Sequence, residues 1–166
     1  VRKLLVLTLA ASTLALFTAV PSTAFNPGEC DAGQNQKSLG QGDDVWDGND
    51  SPNCTDGQGG NDHLYGNGGG DNLYGRAGLD EVHGGGAADY IDGGDDPDFV
   101  YGDSGNDIIL GGAQNDTIYD GTGGNGDAID GGNGYDILKH CTGAGSDSGL
   151  DSWVNIEQVD AGNQYC

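Results

Sequence analysis

The sequence predicts an all-β fold assembled from short repeated units, and three observations predict it. A nine-residue phase runs unbroken from Leu39 to Tyr119. Each unit opens on a glycine-rich turn followed by an aspartate, and each closes on three residues with an apolar one in the middle. A short strand sends successive side chains to opposite faces, so the middle residues of all units form one column. Glycine suits the turns because it reaches positive φ at no steric cost.

From Gly57 the units read GQGGNDHLY, GNGGGDNLY, GRAGLDEVH, GGGAADYID, GGDDPDFVY, GDSGNDIIL and GGAQNDTIY. An 11-residue block ending at Asp130 and a final nine-mer, GGNGYDILK, complete the array. The sixth position is occupied by Asp44, Asn53, Asp62, Asp71, Asp80, Asp89, Asp98, Asp107 and Asp116, with Asp127 and Asp136 in the last two units. The eighth position reads Trp46, Thr55, Leu64, Leu73, Val82, Ile91, Val100, Ile109, Ile118, Ile129 and Leu138. This is the expected core, and its β-branched residues fit a pleated surface. One core side chain per nine residues is too little to offset the ordering entropy of a glycine-rich chain.

The pattern resembles the RTX, or haemolysin-type, calcium-binding nonapeptide G-G-x-G-x-D-x-U-x, from a family of secreted bacterial proteins, and the resemblance covers Leu39 to Lys139. It implies a parallel β-roll, a two-sheet β-solenoid in which each turn of the coil uses two nonapeptides. Calcium is then expected between loops two repeats apart. The chemistry agrees: calcium takes roughly six to eight oxygen ligands, so one aspartate per loop needs backbone carbonyls and a neighbouring loop. Loops eighteen residues apart lie one strand spacing from each other, roughly 4.8 Å.

Alternate repeats then give one edge with Asp44, Asp62, Asp80, Asp98, Asp116 and Asp136, and another with Asp71, Asp89, Asp107 and Asp127. About five calcium sites are expected on the first and three on the second. Asn53 stands in the aspartate slot of a degenerate block and weakens the case for an Asn53/Asp71 site. Ala87, Asp96 and Gln114 replace glycine at position four; at Ala87 and Gln114 a left-handed backbone costs more. The alternative, ordinary turn aspartates, does not require a fixed phase. Charge supports the metal reading. The chain carries 27 acidic and five basic residues, and loss of Arg2 and Lys3 with the leader brings the net charge of −22 to near −24, a self-repulsion that calcium would relieve. Metal binding is therefore expected to supply much of the folding free energy.

Four segments are expected: a signal peptide at 1–24, a lead-in at 25–38, the calcium-binding roll at 39–139 and a cap at 140–166. Arg2 and Lys3, an apolar run to Val20 and Ser22-Thr23-Ala24 compose the leader. An uncleaved membrane anchor is the competing reading, since the run is near the lower limit for spanning. Otherwise no stable membrane insertion is expected. In an exported chain Cys30, Cys54, Cys141 and Cys166 imply two disulfides. The length of the roll, some 25 Å from about five coils, favours Cys30 with Cys54 and Cys141 with Cys166, one staple at each end. Free or metal-binding thiols are the alternative.

Trp153-Val154-Asn155-Ile156-Glu157 looks like the N-I-E segment that often follows RTX arrays, and its apolar alternation suits a final strand closing the core. Position nine on one sheet presents Tyr65, His83, Tyr101 and Tyr119 as an outward aromatic ladder. Cross-strand stacking explains it; a platform for extracellular polysaccharide or a cell surface is the functional alternative. Enzymatic readings fail on the residues. Gly102-Asp103-Ser104-Gly105 matches a protease serine signature but occupies ordinary repeat slots, and His63, His83 and His140 lack zinc-ligand spacing. His63 and His83 are expected to be solvated. No Walker lysine follows a glycine loop, and the negative field disfavours nucleic acid. The expected function is a secreted, non-enzymatic, calcium-binding structural or adhesive protein.

Overall fold

The computed structural model describes residues 34–123, 126–140 and 152–161. The expected leader and Cys30, Cys141 and Cys166 lie outside these. Among the described residues fourteen strands follow one another: β1 (Asn35–Ser38), β2 (Val45–Asn49), β3 (Asn53–Asp56), β4 (His63–Asn67), β5 (Asn72–Ala77), β6 (Glu81–Gly86) and β7 (Tyr90–Asp95). The second half comprises β8 (Phe99–Ser104), β9 (Ile108–Ala113), β10 (Thr117–Tyr119), β11 (Ala128–Asn133), β12 (Ile137–His140), β13 (Ser152–Val154) and β14 (Gln158–Ala161). Odd strands form one seven-stranded sheet in chain order and even strands the other. All described pairings are parallel, so the chain is a two-sheet β-solenoid of about six turns.

The register follows the repeat. Leu64 pairs with Val82 and Leu73 with Ile91, eighteen residues apart. Across the 11-residue block the offset becomes twenty, as at Ile109 with Ile129 and Ile118 with Leu138, and the two extra residues are absorbed in the loop without changing which side chains face inward. That outcome follows from the twofold side-chain period: an odd slip would turn the core column outward.

The eighth-position column forms the core as expected. Leu64, Leu73, Val82, Ile91, Val100, Ile109, Ile118, Ile129 and Leu138 are buried in one cluster, with Leu39, Trp46 and Ile156 packed against it. Strands exceed the three-residue expectation because turn residues also pair: Gly85 with Asp103 and Gly86 with Ser104. Identical loops stacked at strand spacing can continue the ladder into the turn.

Two features depart from expectation. A second buried cluster, Cys54, Tyr74, Tyr90 and Ile108, lies outside the main column at positions seven and nine of the odd sheet. Cys54 is fully buried and is not a free thiol; the proposed end staples rest on cysteines outside the described residues. The C-terminal segment is also two strands rather than one. β13 pairs with β11 and β14 with β12, so the cap is one further coil bent at Asn155–Glu157.

The aromatic ladder forms on the outer face of the even sheet. Ring centroids are 5.0 Å apart for Tyr65 and His83, 4.1 Å for His83 and Tyr101, and 4.4 Å for Tyr101 and Tyr119. The last two pairs are parallel within 6°. Contrary to expectation His83 is not freely solvated. It is sandwiched in the stack, 3.1 Å from Glu81 and 3.3 Å from Asp103. Burial pulls its pKa down, but the two carboxylates outweigh burial and the net shift is upward. Replacing Tyr65, Tyr101 and Tyr119 together by threonine is expected to lower stability by roughly 0.5–1.5 kcal/mol in total, measured by denaturant unfolding at saturating calcium. A loss near zero would show that the stack contributes nothing.

Candidate metal centre

Each six-residue turn delivers its aspartate to the edge of the roll, and the strand register stacks these aspartates into two columns. On one edge the Asp44 N–H donates to Asp62 Oδ1, Asp62 to Asp80, Asp80 to Asp98, Asp98 to Asp116 and Asp116 to Asp136, at 2.8–2.9 Å throughout. On the other, Asn53 donates to Asp71, Asp71 to Asp89, Asp89 to Asp107 and Asp107 to Asp127, at 2.7–2.9 Å. The structure thus brings together the two sets that alternation of repeats predicts.

Only one oxygen of each carboxylate is used this way. The Oδ2 atoms of Asp62, Asp71, Asp80, Asp89, Asp98, Asp107, Asp116 and Asp136 are buried without a hydrogen-bond partner. Each points at the place where the first glycine of its own loop would carry a Cβ, within 3.0 Å of it. A backbone carbonyl from the next coil approaches the same place: Gly75 O beside Asp62 Oδ2, Gly93 O beside Asp80, Gly102 O beside Asp89. A buried carboxylate oxygen left without a donor is costly, and a cation beside it removes that cost. Glycine is required there because any side chain would fill the cradle.

Asn53 shows what such a loop needs. Its amide nitrogen donates to the carbonyls of Asn49 (3.2 Å) and Ser51, at positions two and four of its turn, and to Asp71 Oδ1 at 3.1 Å. The side-chain NH₂ stands in for a cation among the oxygens of two successive loops. The slot that looks degenerate in sequence is therefore occupied, not simply weakened. Among the described residues no group of three or more His, Cys, Asp or Glu side chains is placed to hold a metal. A metal held here would need carbonyls alongside paired aspartates, and such an all-oxygen set fits the hard-oxygen preference of calcium.

Asp44 stands apart from the other predicted ligands. Position one of its block is Leu39, which packs against the core, and Asp44 Oδ2 accepts the Gly40 N–H at 3.0 Å. Asp127 closes the other column but its Oδ2 is not among the unpartnered oxygens. Sequence reasoning also missed position two, where Gln58, Asn67, Arg76 and Asp103 all have positive φ, between 62° and 85°. Ala87, Asp96 and Gln114 adopt the left-handed conformation anticipated for position four. A third role falls to position five: Asn61 Oδ1 accepts the Leu79 N–H and Asn115 Oδ1 that of Tyr135, at 2.8–2.9 Å. An asparagine recurring in that slot was the available signal.

Burial raises the carboxylate pKa values in the metal-free roll: to about 6 at Asp71 and Asp80, about 7 at Asp116, about 8 at Asp89 and Asp98, and about 9 at Asp107. The backbone N–H from the preceding coil opposes this, and the charge of the neighbouring aspartate reinforces it at Asp80, Asp89, Asp98 and Asp107. Desolvation wins because hydrogen bonds reach only one oxygen of each carboxylate and leave the other bare.

A family model described as RTX calcium-binding nonapeptide repeat (4 copies) matches residues 56–91, 83–118 and 101–138, together half of the chain. No curated protein and no solved structure matches it.

Asn53→Asp is expected to add one calcium ion to the total counted by native mass spectrometry, whereas Asp80→Ala, between two coils, should remove about two. Equal counts for both variants would contradict the paired-loop scheme. The pH dependence has a definite sign. Since the folded pKa values lie above the ordinary 3.8, the metal-free roll binds more protons than the unfolded chain. Its stability is fully present below about pH 4 and is lost as pH rises through 6 to 9. Circular dichroism in chelator should therefore show more β-structure at pH 5 than at pH 9, and the reverse order would refute the burial argument.

Proposed function

Because the chain belongs to the RTX calcium-binding nonapeptide-repeat family, we propose that it is an extracellular structural protein whose roll is assembled by calcium. RTX nonapeptide repeats bind Ca²⁺. The observation that carries the reading is the set of eight buried, unpartnered aspartate oxygens, each facing a carbonyl of the next coil. Asp62, Asp80, Asp98, Asp116 and Asp136 would hold ions along one edge, and Asp71, Asp89 and Asp107 along the other. Asp44 and Asp127 end the columns and would contribute less. Calcium supplies charge neutralisation and cross-links successive coils; the chain supplies the spacing. Export through the leader at 1–24 and disulfide staples belong to the same reading, because weak calcium loops suit an extracellular calcium level. No catalytic role is assigned.

A polysaccharide or cell-surface platform on Tyr65, His83, Tyr101 and Tyr119 is less well supported. A sugar stacks on the open face of a ring, and in this ladder each ring covers its neighbour and turns an edge outward. An adhesive role would use another part of the surface.

The mature chain should be largely disordered in chelator at pH 7.5 and gain β-structure cooperatively as calcium is added, with an affinity on the order of 10⁻⁴ to 10⁻³ M. Identical far-ultraviolet dichroism with and without calcium would defeat the proposal.

A further inference from the structure

The last turn on the Asp62 edge is not a nonapeptide. Asn155, Ile156 and Glu157 alone separate the paired triads 152–154 and 158–160, whereas one coil earlier six residues separate the triads 128–130 and 137–139. Glu157 nevertheless takes the aspartate place. Its Oε2 accepts the Asp136 N–H at 2.7 Å, the bond that every interior aspartate gives to its predecessor. The Asp136 carbonyl in turn accepts the N–H groups of Glu157 and Gln158 at 3.1 Å. Glutamate has one methylene more than aspartate, and that reach compensates for the shorter loop.

The cradle beneath it is complete. Asn155 has a φ of 52°, and its carbonyl lies within 3.0 Å of the place a Cβ on Gly131 would take, together with Asp136 Oδ2. One coil earlier Gly131 O and Asp116 Oδ2 stand in the same relation to Gly111. Asp136 is wholly buried and its Oδ2 has no partner. An anionic oxygen in that position points to a cation that the nonapeptide pattern does not account for.

We propose that Asp136, the Asn155 carbonyl and Glu157 form a terminal calcium site that fastens the cap to the roll. The proposal rests on the reading of the roll as calcium-loaded and adds a ligand set outside the repeat array. Three residues in place of six leave no counterparts for all the turn carbonyls seen around Asn53, and Glu157 is exposed. Water must complete the shell, so this site is weaker than the interior ones and fills last. Ile156, between the two ligands, packs against the core. Filling the site and closing the apolar column are thus one event.

The test counts calcium ions on the full chain by native mass spectrometry and follows Trp153 emission, in a Trp46→Phe background, during calcium titration. Glu157→Gln keeps an acceptor for the Asp136 N–H and removes the charge. It should bind one ion fewer with the interior ions retained, and its Trp153 transition should move to about tenfold higher calcium, the effect of losing a charged ligand. Ile156→Ala weakens the packing of the same turn but leaves both carboxylates, so at saturating calcium it should keep the full count. A Glu157→Gln protein with the wild-type count, or an equal loss in both variants, overturns the terminal site while leaving the interior sites standing. A wild-type chain that takes up no calcium overturns the reading of the whole roll.

Discussion

A row of carboxylates, each half satisfied and shut away from water, is the constraint on which this structure depends. In every interior coil one aspartate oxygen is held by the backbone of the preceding coil and the other is left bare against a carbonyl of the next. Burying one such oxygen is costly, and a chain with 27 acidic residues repeats the cost along two edges. On the reading proposed above, a cation, or at low pH a proton, between successive loops relieves that cost. Glycine content, loop conformation and net charge follow from that requirement.

The core cannot take over this role. It is a single file of aliphatic side chains between two sheets, and each coil adds two. Two buried side chains per coil are few against the conformational entropy lost in ordering a glycine-rich chain. The core specifies register and inward direction; the edges must supply the cohesion. A stacked ring on each of four successive even strands and the cluster around Tyr74 and Tyr90 add smaller increments.

Periodicity made much of this legible from sequence. The ninefold phase identifies the core column and the sixth-position aspartates, and pairing of alternate repeats reproduces the observed edges because every coil is built alike. What escaped depends on departures from the average unit. Leu39 cancels the cradle at Asp44 by putting a side chain where a glycine belongs. Asn53 sets an amide donor among the oxygens of two loops, which no count of aspartates reveals. Glu157 takes an aspartate place after a turn of half the usual length, out of phase with the array. His83 was misread because its acidic neighbours, Glu81 and Asp103, come from its own and the adjacent strand, and a strand read alone shows only an outward histidine.

The amide of Asn53 also gives the molecule a direction. On the reading proposed above, the turns with an unpartnered aspartate oxygen rely on an ion that can diffuse away, whereas this one carries its donor covalently near the end where the array begins. Each coil touches only its neighbours, as in other solenoids. Depletion of ions should therefore act least near the Asn53 turn and most on the far end, and disassembly should travel along the axis toward the end where the array begins. A rod with two equivalent ends would fray from both; this one should open as a zip with a fixed stop.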